Sequence, residues 1–298
     1  MVRVRVPATT ANLGAGFDVL GLSLALYNEI AAAAADTLVI TVEGEGAAEL
    51  PRDASNLVWQ AAQRVFACAG GSPPGARLHM RNAIPLESGL GSSAAAIVAG
   101  LLLGDALTGS QLDRDTLLAL AIDMEGHPDN VAPAMLGGLV AGARDDAGRP
   151  IVRRLTVAPL KAVVVMPEAR LSTAAARQAL PSAVPHADAV FNLGHLALTI
   201  AAFQDGDYAL LAQAMADRLH QPYRAPLVAG LAEALAAARA TGAAAAISGA
   251  GPAVVAFAAD GYAELVDCIT ACFARVGCGA RAWVLDIGEG ARVEFPSD

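Results

Sequence analysis

The stretch IPLESGLGSSAAAIVAG, residues 84–100, places glycines and serines directly before a run of small and apolar residues. Gly89 and Gly91 allow positive φ and a close approach of the backbone to a ligand, and the apolar run predicts a buried helix. Ser92 and Ser93 lie where this helix begins, so hydroxyl groups and unpaired backbone N–H groups come together. Because a helix N-terminus attracts anions, the stretch predicts a phosphate-binding loop.

The loop does not supply the positive charge that a bound phosphate needs. No lysine follows the glycines, so the order of residues differs from the G-x-x-x-x-G-K-[ST] of a Walker loop. A divalent cation is the obvious partner for a phosphate bound here. Taken alone, SGLGSS also fits a simple capped turn, and only the rest of the chain can distinguish the two interpretations.

The length of 298 residues is long for one hydrophobic core and comfortable for two. The stretch RRLTVAPLK, residues 153–161, leaves one predicted strand for the next. We therefore predict an N-terminal domain over residues 1–156 and a C-terminal domain over residues 157–298.

Composition argues against a membrane protein and against a nucleic-acid surface. The hydrophobic content is 55%, but much of it is alanine, and the longest apolar run in the motif helix stops at Asp105. That run is too short for a bilayer, which needs roughly 20 residues. The formal charge is −9 and the 20 lysines and arginines are scattered. With no signal peptide pattern at the start, we expect a soluble cytoplasmic protein without membrane or nucleic-acid partners.

Hydrophobic periodicity predicts strands and a helix in the N-terminal half. VRVRV alternates with period two and predicts a strand, and PATTANLGAGFDVLGLSL predicts a loop that returns to apolar alternation. DTLVITVEG and ARLHMRN predict two further strands. Between them, NLVWQAAQRVFACAG has helical spacing and ends at a glycine, which is typical of a helix C-terminus. In the motif helix, Ala96, Gly100 and Gly104 form a smooth stripe that permits close helix packing.

The C-terminal half alternates strands with helices. KAVVVMP predicts a strand, a helix follows from Thr173, and alanine-rich helices come next. AAAAIS, AVVAFAA and RAWVLDI predict three more strands, with the turn GAGP between the first two and a helix before the last. This order predicts an α+β domain with split βαβ character.

Three glycine-rich stretches together resemble the GHMP kinases, named for galacto-, homoserine, mevalonate and phosphomevalonate kinases. The stretches, in chain order, are PATTANLGAGFDVLG, PLESGLGSSAAA and SGAGPAVVAF. EGHPDNVAPAMLGGL, LSTAAARQALP and HQPYRAP resemble the homoserine branch of that superfamily more than its other branches. The resemblance spans nearly the whole chain.

The resemblance implies a fold and a reaction. The fold is α+β, the GHMP kinase fold, with an N-terminal domain like ribosomal protein S5 domain 2 and a ferredoxin-like C-terminal domain. The reaction is transfer of the γ-phosphoryl group of ATP to the side-chain hydroxyl of L-homoserine, with Mg²⁺ as cofactor, on the route to threonine. It also implies a homodimer.

For the nucleotide, the resemblance implies that the glycine loop wraps the phosphates and that a site further upstream contacts adenine. The nucleotide-side residues are Asn56, Leu57, Pro85, Gly89, Leu90, Gly91, Ser92, Ser93 and Ala94. Mg²⁺ is expected at Ser93 and Glu125. SGAGP, from Ser248, is expected to shape the same site, although a plain strand-to-strand turn is the alternative.

Homoserine carries an ammonium, a carboxylate and a hydroxyl group, and the resemblance assigns residues to each. We expect Asp18 and Asp129 to bind the ammonium, and Arg177 and Arg224 to bind the carboxylate through forked hydrogen bonds. The remaining substrate-side positions are Asn12, His127, Asn130 and Thr173. Each has an ordinary alternative, such as a turn residue for Asn12 or a helix N-cap for Thr173.

The catalytic group implied by the resemblance consists of Ser93, Glu125 and Asn130. Mevalonate-type relatives carry an aspartate that is thought to accept the hydroxyl proton where this chain has Asn130, which cannot act as a base. Asp129 is a tempting substitute, but a carboxylate paired with the substrate ammonium is a weak base. We predict a reaction that depends on positioning and charge stabilisation.

Two alternatives stay open at the level of sequence. One is a GHMP kinase for another small alcohol such as mevalonate, against which Arg177 and Arg224 argue because they suit an amino-acid carboxylate. The other is a silent member that senses a nucleotide or metabolite without catalysis. The presence of Glu125 and both loop serines argues against a protein without catalytic activity.

Overall fold

The computed structural model describes residues 1–71 and 75–295, which form two β-sheets and their covering helices. The strands are β1 (Val2–Ala11), β2 (Leu20–Ala34), β3 (Val39–Gly44), β4 (Ala76–Asn82), β5 (Leu139–Arg144), β6 (Pro150–Leu155), β7 (Lys161–Pro167), β8 (Ala244–Ile247), β9 (Val254–Phe257), β10 (Ala280–Asp286) and β11 (Arg292–Glu294).

The helices lie between these strands, and a short 3-10 turn, Ala225–Leu227, follows the eighth. They are α1 (Leu57–Cys68), α2 (Ser92–Thr108), α3 (Arg114–Glu125), α4 (Pro128–Leu136), α5 (Thr173–Gln178), α6 (His186–Asp205), α7 (Tyr208–Ala214), α8 (Gln221–Arg224), α9 (Leu231–Ala240) and α10 (Tyr262–Arg275). None of the described helices is long and apolar enough to cross a bilayer.

The first sheet has the strand order β11-β1-β2-β4-β3, and β5 with β6 extends from β2. The pair β3 and β4 is parallel, and α1 forms the connection between them, as a parallel pair requires. The helix after the glycine loop, α2, is buried along most of its length in the core behind this sheet. The sheet therefore holds the start of α2 in a fixed position.

The second sheet has the antiparallel order β10-β7-β9-β8. Its strands and the helices that connect them follow the ferredoxin-like pattern, so the predicted α+β class and split βαβ character are confirmed. One face packs against α9 and α10, and the other joins the main core through residues such as Val164 and Phe257. The two sheets consequently share one continuous apolar interior.

The predicted stripe of small residues on α2 contacts α1. A Cβ atom on Gly100 would lie 2.1 Å from the carbonyl oxygen of Val58, and one on Gly104 would lie 2.9 Å from that of Ala62. Only glycine permits this approach of the two helices. The predicted end of α1 is also confirmed, because Ala69 caps it and Gly70 follows with a φ of 70°.

The strand β1 is longer than its alternating start predicts. The prediction of a loop from Pro7 is wrong for its first part, because β1 continues to Ala11 and the loop begins at Asn12. Proline removes a hydrogen-bond donor, but the pairing with β2 shifts between Pro7 and Ala8, where such a loss is tolerated.

The predicted division at residues 156 and 157 falls between the strands of different sheets. β6 ends at Leu155 in the first sheet and β7 begins at Lys161 in the second. The last strand, β11, returns to pair with β1 in the first sheet. The two-domain division stays a prediction, and by sheet membership the end of the chain belongs with the first part.

We expect the variants Gly100→Ala and Gly194→Ala to have opposite effects on stability. Both glycines lie inside helices, where alanine is intrinsically better by about 1 kcal/mol. A methyl group on Gly194 meets no atom within 4 Å, whereas on Gly100 it meets backbone. Overpacking costs about 1–3 kcal/mol, so Gly100→Ala should lower the urea midpoint and Gly194→Ala should raise it. Equal rises in both midpoints would contradict the close α1–α2 packing.

Candidate active site

The helix α2 begins at a glycine cap that leaves its first backbone N–H groups without a side-chain acceptor. Gly91 is the N-cap, with a φ of 69°, and it makes no side-chain hydrogen bond to the helix. The serine hydroxyls therefore lie beside these N–H groups without capping the helix. Ser92 and Ser93 are the first two helical residues, and with Gly91 they line a cavity of about 230 Å³.

The glycine loop is in tight contact with two other chain segments. A Cβ atom on Gly91 would lie 1.9 Å from Oγ1 of Thr9, and one on Gly89 would lie 2.2 Å from the carbonyl oxygen of Ser248. Ser248 in turn donates a hydrogen bond from Oγ to the carbonyl oxygen of Gly89, at 2.7 Å. Residues 249–251 of the SGAGP turn line the same cavity, as the sequence predicted.

The turn between α3 and α4 brings four polar residues to the cavity. Gly126 ends α3 with a φ of 95°, and the next helix begins directly after it, with a proline in its first turn, where the missing N–H costs nothing. Because the turn is so short, the last residue of α3 and the first residues of α4 face one cavity. These residues are Glu125, His127, Asp129 and Asn130.

Glu125 and Ser93 contact each other at the cavity wall. Ser93 donates a hydrogen bond from Oγ to Oε2 of Glu125, at 3.2 Å. Burial raises the pKa of Glu125, against the smaller opposing effects of His127 and the Ser93 hydrogen bond. A half-buried carboxylate beside a hydroxyl oxygen is a donor set of the kind that Mg²⁺ prefers.

Asp129 is buried and forms an ion pair with His127 through Nδ1 and Oδ1. Burial lowers the pKa of His127, but the hydrogen bond and the charge of Asp129 outweigh it and raise this pKa above 6.5. Donor atoms of Asp18, His127 and Asp129 all lie within 4.8 Å of one another. This group is a second place where a cation can be held.

Arg177 and Asp18 form a two-point ion pair across the cavity mouth. The guanidinium nitrogens of Arg177 donate to both carboxylate oxygens of Asp18, at 2.9 and 3.1 Å. The sequence assigns these two residues to opposite ends of the substrate. In this structure they neutralise each other, and both side chains are about one-third exposed, at 39% and 34%.

Arg224 is the buried cation of the cavity, with 2% exposure. Its side chain donates to the carbonyl oxygens of Ala176 and Gly249, at 3.3 and 3.2 Å, and contacts Nδ1 of His220 at 3.3 Å. Within residues 1–71 and 75–295 it forms no ion pair with a carboxylate. A buried guanidinium without a counter-ion favours an anionic ligand.

A second cavity of about 260 Å³ lies on the other side of the start of α2. Its lining is mostly apolar and includes Leu57 and the N-cap of α1, Asn56. Glu87, Ser92 and Ser93 line both cavities, so the two meet at the helix N-terminus. A ligand with an apolar ring and an anionic tail fits this arrangement.

Two family models match the chain, described as the GHMP kinases N terminal domain, over residues 56–138, and the GHMP kinases C terminal, over residues 199–269. The homoserine kinase of Moorella thermoacetica is 47% identical over 93% of this chain and 94% of its own length. That of Parasynechococcus marenigrum is 43% identical over 100% and 96%. The chain belongs to the homoserine kinase family of the GHMP kinases.

Solved structures agree with this family. A homoserine kinase from Cytophaga hutchinsonii superposes with a TM-score of 0.87 at 29% identity, covering 98% of this chain and 97% of its own. A structure described as a putative homoserine kinase from Listeria monocytogenes gives 0.79 at 35% identity, covering 99% and 100%. The mevalonate kinase of L. major gives 0.71 at 18% identity and shares the fold. The GHMP kinase fold predicted from the sequence is confirmed.

Most of the predicted site residues of this GHMP kinase meet at the two cavities. The first cavity is lined by Asn12, Asp18, Gly89, Gly91, Ser92, Ser93, Glu125, His127, Asp129, Asn130, Thr173, Arg177 and Arg224. Asn56 and Leu57 line the second. In Asn56, however, Oδ1 accepts from Val58 N and Nδ2 donates to the carbonyl oxygen of Pro51, so its polar atoms already have partners.

Three predicted nucleotide-side residues do not line either cavity. Pro85 lies on a neighbouring cleft. Leu90 and Ala94 are fully buried, and the N–H of Leu90 already donates to Oγ of Ser88.

Thr173 is not the N-cap of α5, which was the alternative interpretation of this residue. The N-cap is Ser172, whose Oγ accepts a hydrogen bond from Ala175 N. Serine and threonine are both favoured N-cap residues, so the sequence alone does not show which of Ser172 and Thr173 caps the helix.

Sequence reasoning missed two buried residues that contact the site residues. Thr9 donates from Oγ1 to Oδ1 of Asn130, at 2.8 Å, and His220 contacts Arg224. Both lie in stretches that carried the family resemblance, but nothing local indicates their partners. Thr9 is 121 positions from Asn130 along the chain.

We expect Asp129→Asn to lower the pKa of His127. The charge of Asp129 holds this pKa up against burial, and without it only the amide acceptor and the more distant charge of Asp18 oppose burial. A histidine NMR titration of both proteins measures the change, with the four other histidines as internal controls. A His127 pKa that stays in place would mean that Asp129 is not the group that sets it.

Proposed function

We propose that this chain is a homoserine kinase, which transfers the γ-phosphoryl group of ATP to the side-chain hydroxyl of L-homoserine and supplies O-phospho-L-homoserine for threonine biosynthesis. The observation that carries the proposal is the meeting of an apolar cavity and a charged cavity at the N-terminus of α2. The curated relatives at 42–47% identity support the choice of acceptor.

ATP fits across the two cavities. The apolar cavity beside Leu57 suits the adenine ring, and the open N–H groups at the start of α2 suit the phosphates. Glu87, which lines both cavities, is acidic and cannot neutralise the phosphates. The chain therefore relies on helix N–H groups and a metal ion for charge neutralisation.

Ser93 and Glu125 are the residues that would hold Mg²⁺. They form a hydroxyl–carboxylate contact at the cavity wall, and burial raises the pKa of the carboxyl group, so a bound cation would stabilise its charged form. When bound, Mg²⁺ neutralises charge on the phosphate oxygens. Asp18, His127 and Asp129 suit an ammonium better than Mg²⁺, because Arg177 already neutralises Asp18 and a histidine is a poor ligand for this metal.

The charged cavity fits a zwitterionic amino acid. Arg224 is fixed, buried and without a carboxylate partner in the described chain, so it would bind the substrate carboxylate. Asp129 lies in the same cavity and would bind the ammonium. The ion pair of Arg177 and Asp18 can open so that each binds the substrate group of opposite charge, and this exchange keeps every charge compensated.

The reaction needs no general base among these side chains. Asn130 accepts from Thr9 at Oδ1, so its N–H groups are left to donate toward the acceptor hydroxyl or the transferring phosphoryl group. The hydroxyl oxygen bonds to the γ-phosphorus, the bond to the β-phosphate oxygen breaks, and the hydroxyl proton leaves to phosphate oxygen or water. Since the transition state is loose, proton loss can come late, and positioning dominates the rate.

Two alternative functions fit the site less well. Mevalonate has a carboxylate but no ammonium, so it could not replace His127 or Arg177 as the cationic partner of Asp129 or Asp18. A silent sensor would not need the Ser93–Glu125 contact. A cytoplasmic location and a homodimer are part of our proposal and rest on the family resemblance.

We expect ADP formation to depend on both L-homoserine and Mg²⁺. A coupled assay with a panel of alcohols, including mevalonate and L-threonine, measures this dependence. Homoserine should give the highest kcat/KM of the panel, because it alone supplies carboxylate, ammonium and a primary hydroxyl at the required spacing. Faster turnover of mevalonate would make the acceptor assignment wrong.

Glu125→Gln should reduce turnover by about 10²-fold or more, because a neutral amide is a poorer Mg²⁺ ligand and transition-state charge would lack compensation. The fold should persist, since the variant stays polar and similar in shape. Titrating Mg²⁺ at saturating substrates tests this expectation. A wild-type kcat and Mg²⁺ dependence would remove Glu125 from the metal site.

Asp129→Asn should raise the homoserine KM strongly and lower kcat only modestly. A true general base would instead be worth about 10²- to 10⁴-fold in rate. Steady-state kinetics with separate kcat and KM values distinguishes the two roles. A kcat loss of that size with an unchanged KM would identify Asp129 as the base and refute the mechanism without one.

A further inference from the structure

His220 is a buried histidine that the proposed reaction does not use. It has 0% exposure and lies at the N-cap of α8, in the HQPYRAP stretch. Its ring is stacked on Phe17, with 5.1 Å between the ring centroids. A fully buried imidazole so close to the substrate cavity calls for a physical explanation.

The two ring nitrogens of His220 contact groups of opposite kind. Nε2 lies 3.0 Å from the carbonyl oxygen of Gly14, which can only accept a hydrogen bond. Nδ1 lies 3.3 Å from Nη1 of Arg224, which can only donate. These partners together require the neutral tautomer with its proton on Nε2 and a free lone pair on Nδ1.

The electrostatic surroundings agree with a neutral ring. Burial lowers the pKa of His220 and outweighs the opposing charge of Asp217, whose Oδ2 lies 3.6 Å from Nε2. The carboxylate of Asp217 accepts instead from Asn192 Nδ2 and from the backbone N–H groups of residues 219–221. Asp217 therefore holds the start of α8 in place and leaves His220 neutral.

His220 also connects two parts of the substrate cavity. Gly14 lies in the loop that carries Asn12 and Asp18, and a Cβ atom at Gly14 would lie 2.2 Å from the carbonyl oxygen of Met215. The loop is thus held against the segment before α8. Arg224 ends α8, one helical turn after His220, so the imidazole bridges the loop and the guanidinium.

We propose that His220 is a positioning residue for the acceptor substrate: its neutral imidazole accepts from Arg224 and fixes that guanidinium for the substrate carboxylate. The inference rests on the proposed function, because it takes Arg224 to bind the carboxylate of homoserine. This role would contribute to substrate specificity, because only a substrate with a carboxylate binds to the fixed guanidinium.

Two neutral variants separate the two hydrogen bonds of the ring. In His220→Asn the amide oxygen reaches the position of Nδ1 and keeps the acceptor for Arg224. In His220→Gln the longer chain reaches the position of Nε2 and keeps the donor for Gly14, but it loses that acceptor. We expect His220→Gln to raise the homoserine KM about tenfold or more, since hydrogen bonds to charged groups are the strong ones.

The ATP KM of His220→Gln should stay near the wild-type value, and His220→Asn should restore most of the homoserine affinity. Thermal unfolding of both variants controls for loss of packing against Phe17. Equal homoserine KM values for the two variants, whether raised or unchanged, would overturn the proposal, because the acceptor at Nδ1 would then make no difference.

A ligand without a carboxylate provides a test that a merely structural role would not pass. 3-Aminopropan-1-ol has the hydroxyl and the ammonium of homoserine but lacks its carboxylate. Its inhibition constant against homoserine should be the same in the wild type and in His220→Gln. If this constant rises in parallel with the homoserine KM, His220 supports the cavity as a whole and the proposal is wrong.

The tautomer can be observed in the unaltered protein. In a sample with ¹⁵N-labelled histidine, His220 should give the signals of a neutral ring with the proton on Nε2, assigned by their loss in His220→Asn. A protonated ring, or a proton on Nδ1, at neutral pH would overturn the proposal even if His220→Gln fails to fold.

Failure of this inference differs from failure of the proposed function. If the wild type does not phosphorylate homoserine, both proposals are wrong. If the wild type is active and the homoserine KM of His220→Gln is unchanged, the kinase assignment stands and only the role of His220 is refuted.

Discussion

The site depends on a close approach of three chain segments at the start of α2. Gly91 lies against Thr9, and Gly89 lies against Ser248, in both cases too close for any side chain. The strand β1, the glycine loop and the turn after β8 are thereby held within hydrogen-bonding distance. Because the first sheet and the buried body of α2 fix these segments, the helix N-terminus opens into a cavity of defined shape.

Charge in the cavity is balanced by pairs that substrate groups can replace. Arg177 with Asp18 and His127 with Asp129 are internal pairs, whereas Arg224 contacts carbonyl oxygens and the imidazole of His220. For such a fixed guanidinium, the free energy of desolvation is compensated during folding, before the ligand binds. Under the proposed function this arrangement favours a zwitterion, since it offers partners of both signs.

The sequence predicted those features that local pattern determines. The glycine loop and the alternation of strands and helices in the C-terminal half follow from residues close together in the chain, whereas the ferredoxin-like fold was implied by the family resemblance. The extension of β1 past Pro7 depends on pairing with β2, and the contact of Thr9 with Asn130 joins residues 121 positions apart. The burial of Leu90 likewise results from packing, so neither composition nor spacing could have indicated it.

Because β11 pairs with β1, the first sheet cannot be completed until β11 has been synthesised. Arg3, Val4 and Arg5 pair with residues 292–294, which are made long after β1. During translation the outer edge of β1 thus stays unpaired while the rest of the chain emerges, and an unpaired edge is a template for association with other chains. The alternating arginines of VRVRV supply positive charge at this edge, which disfavours such association until β11 covers it.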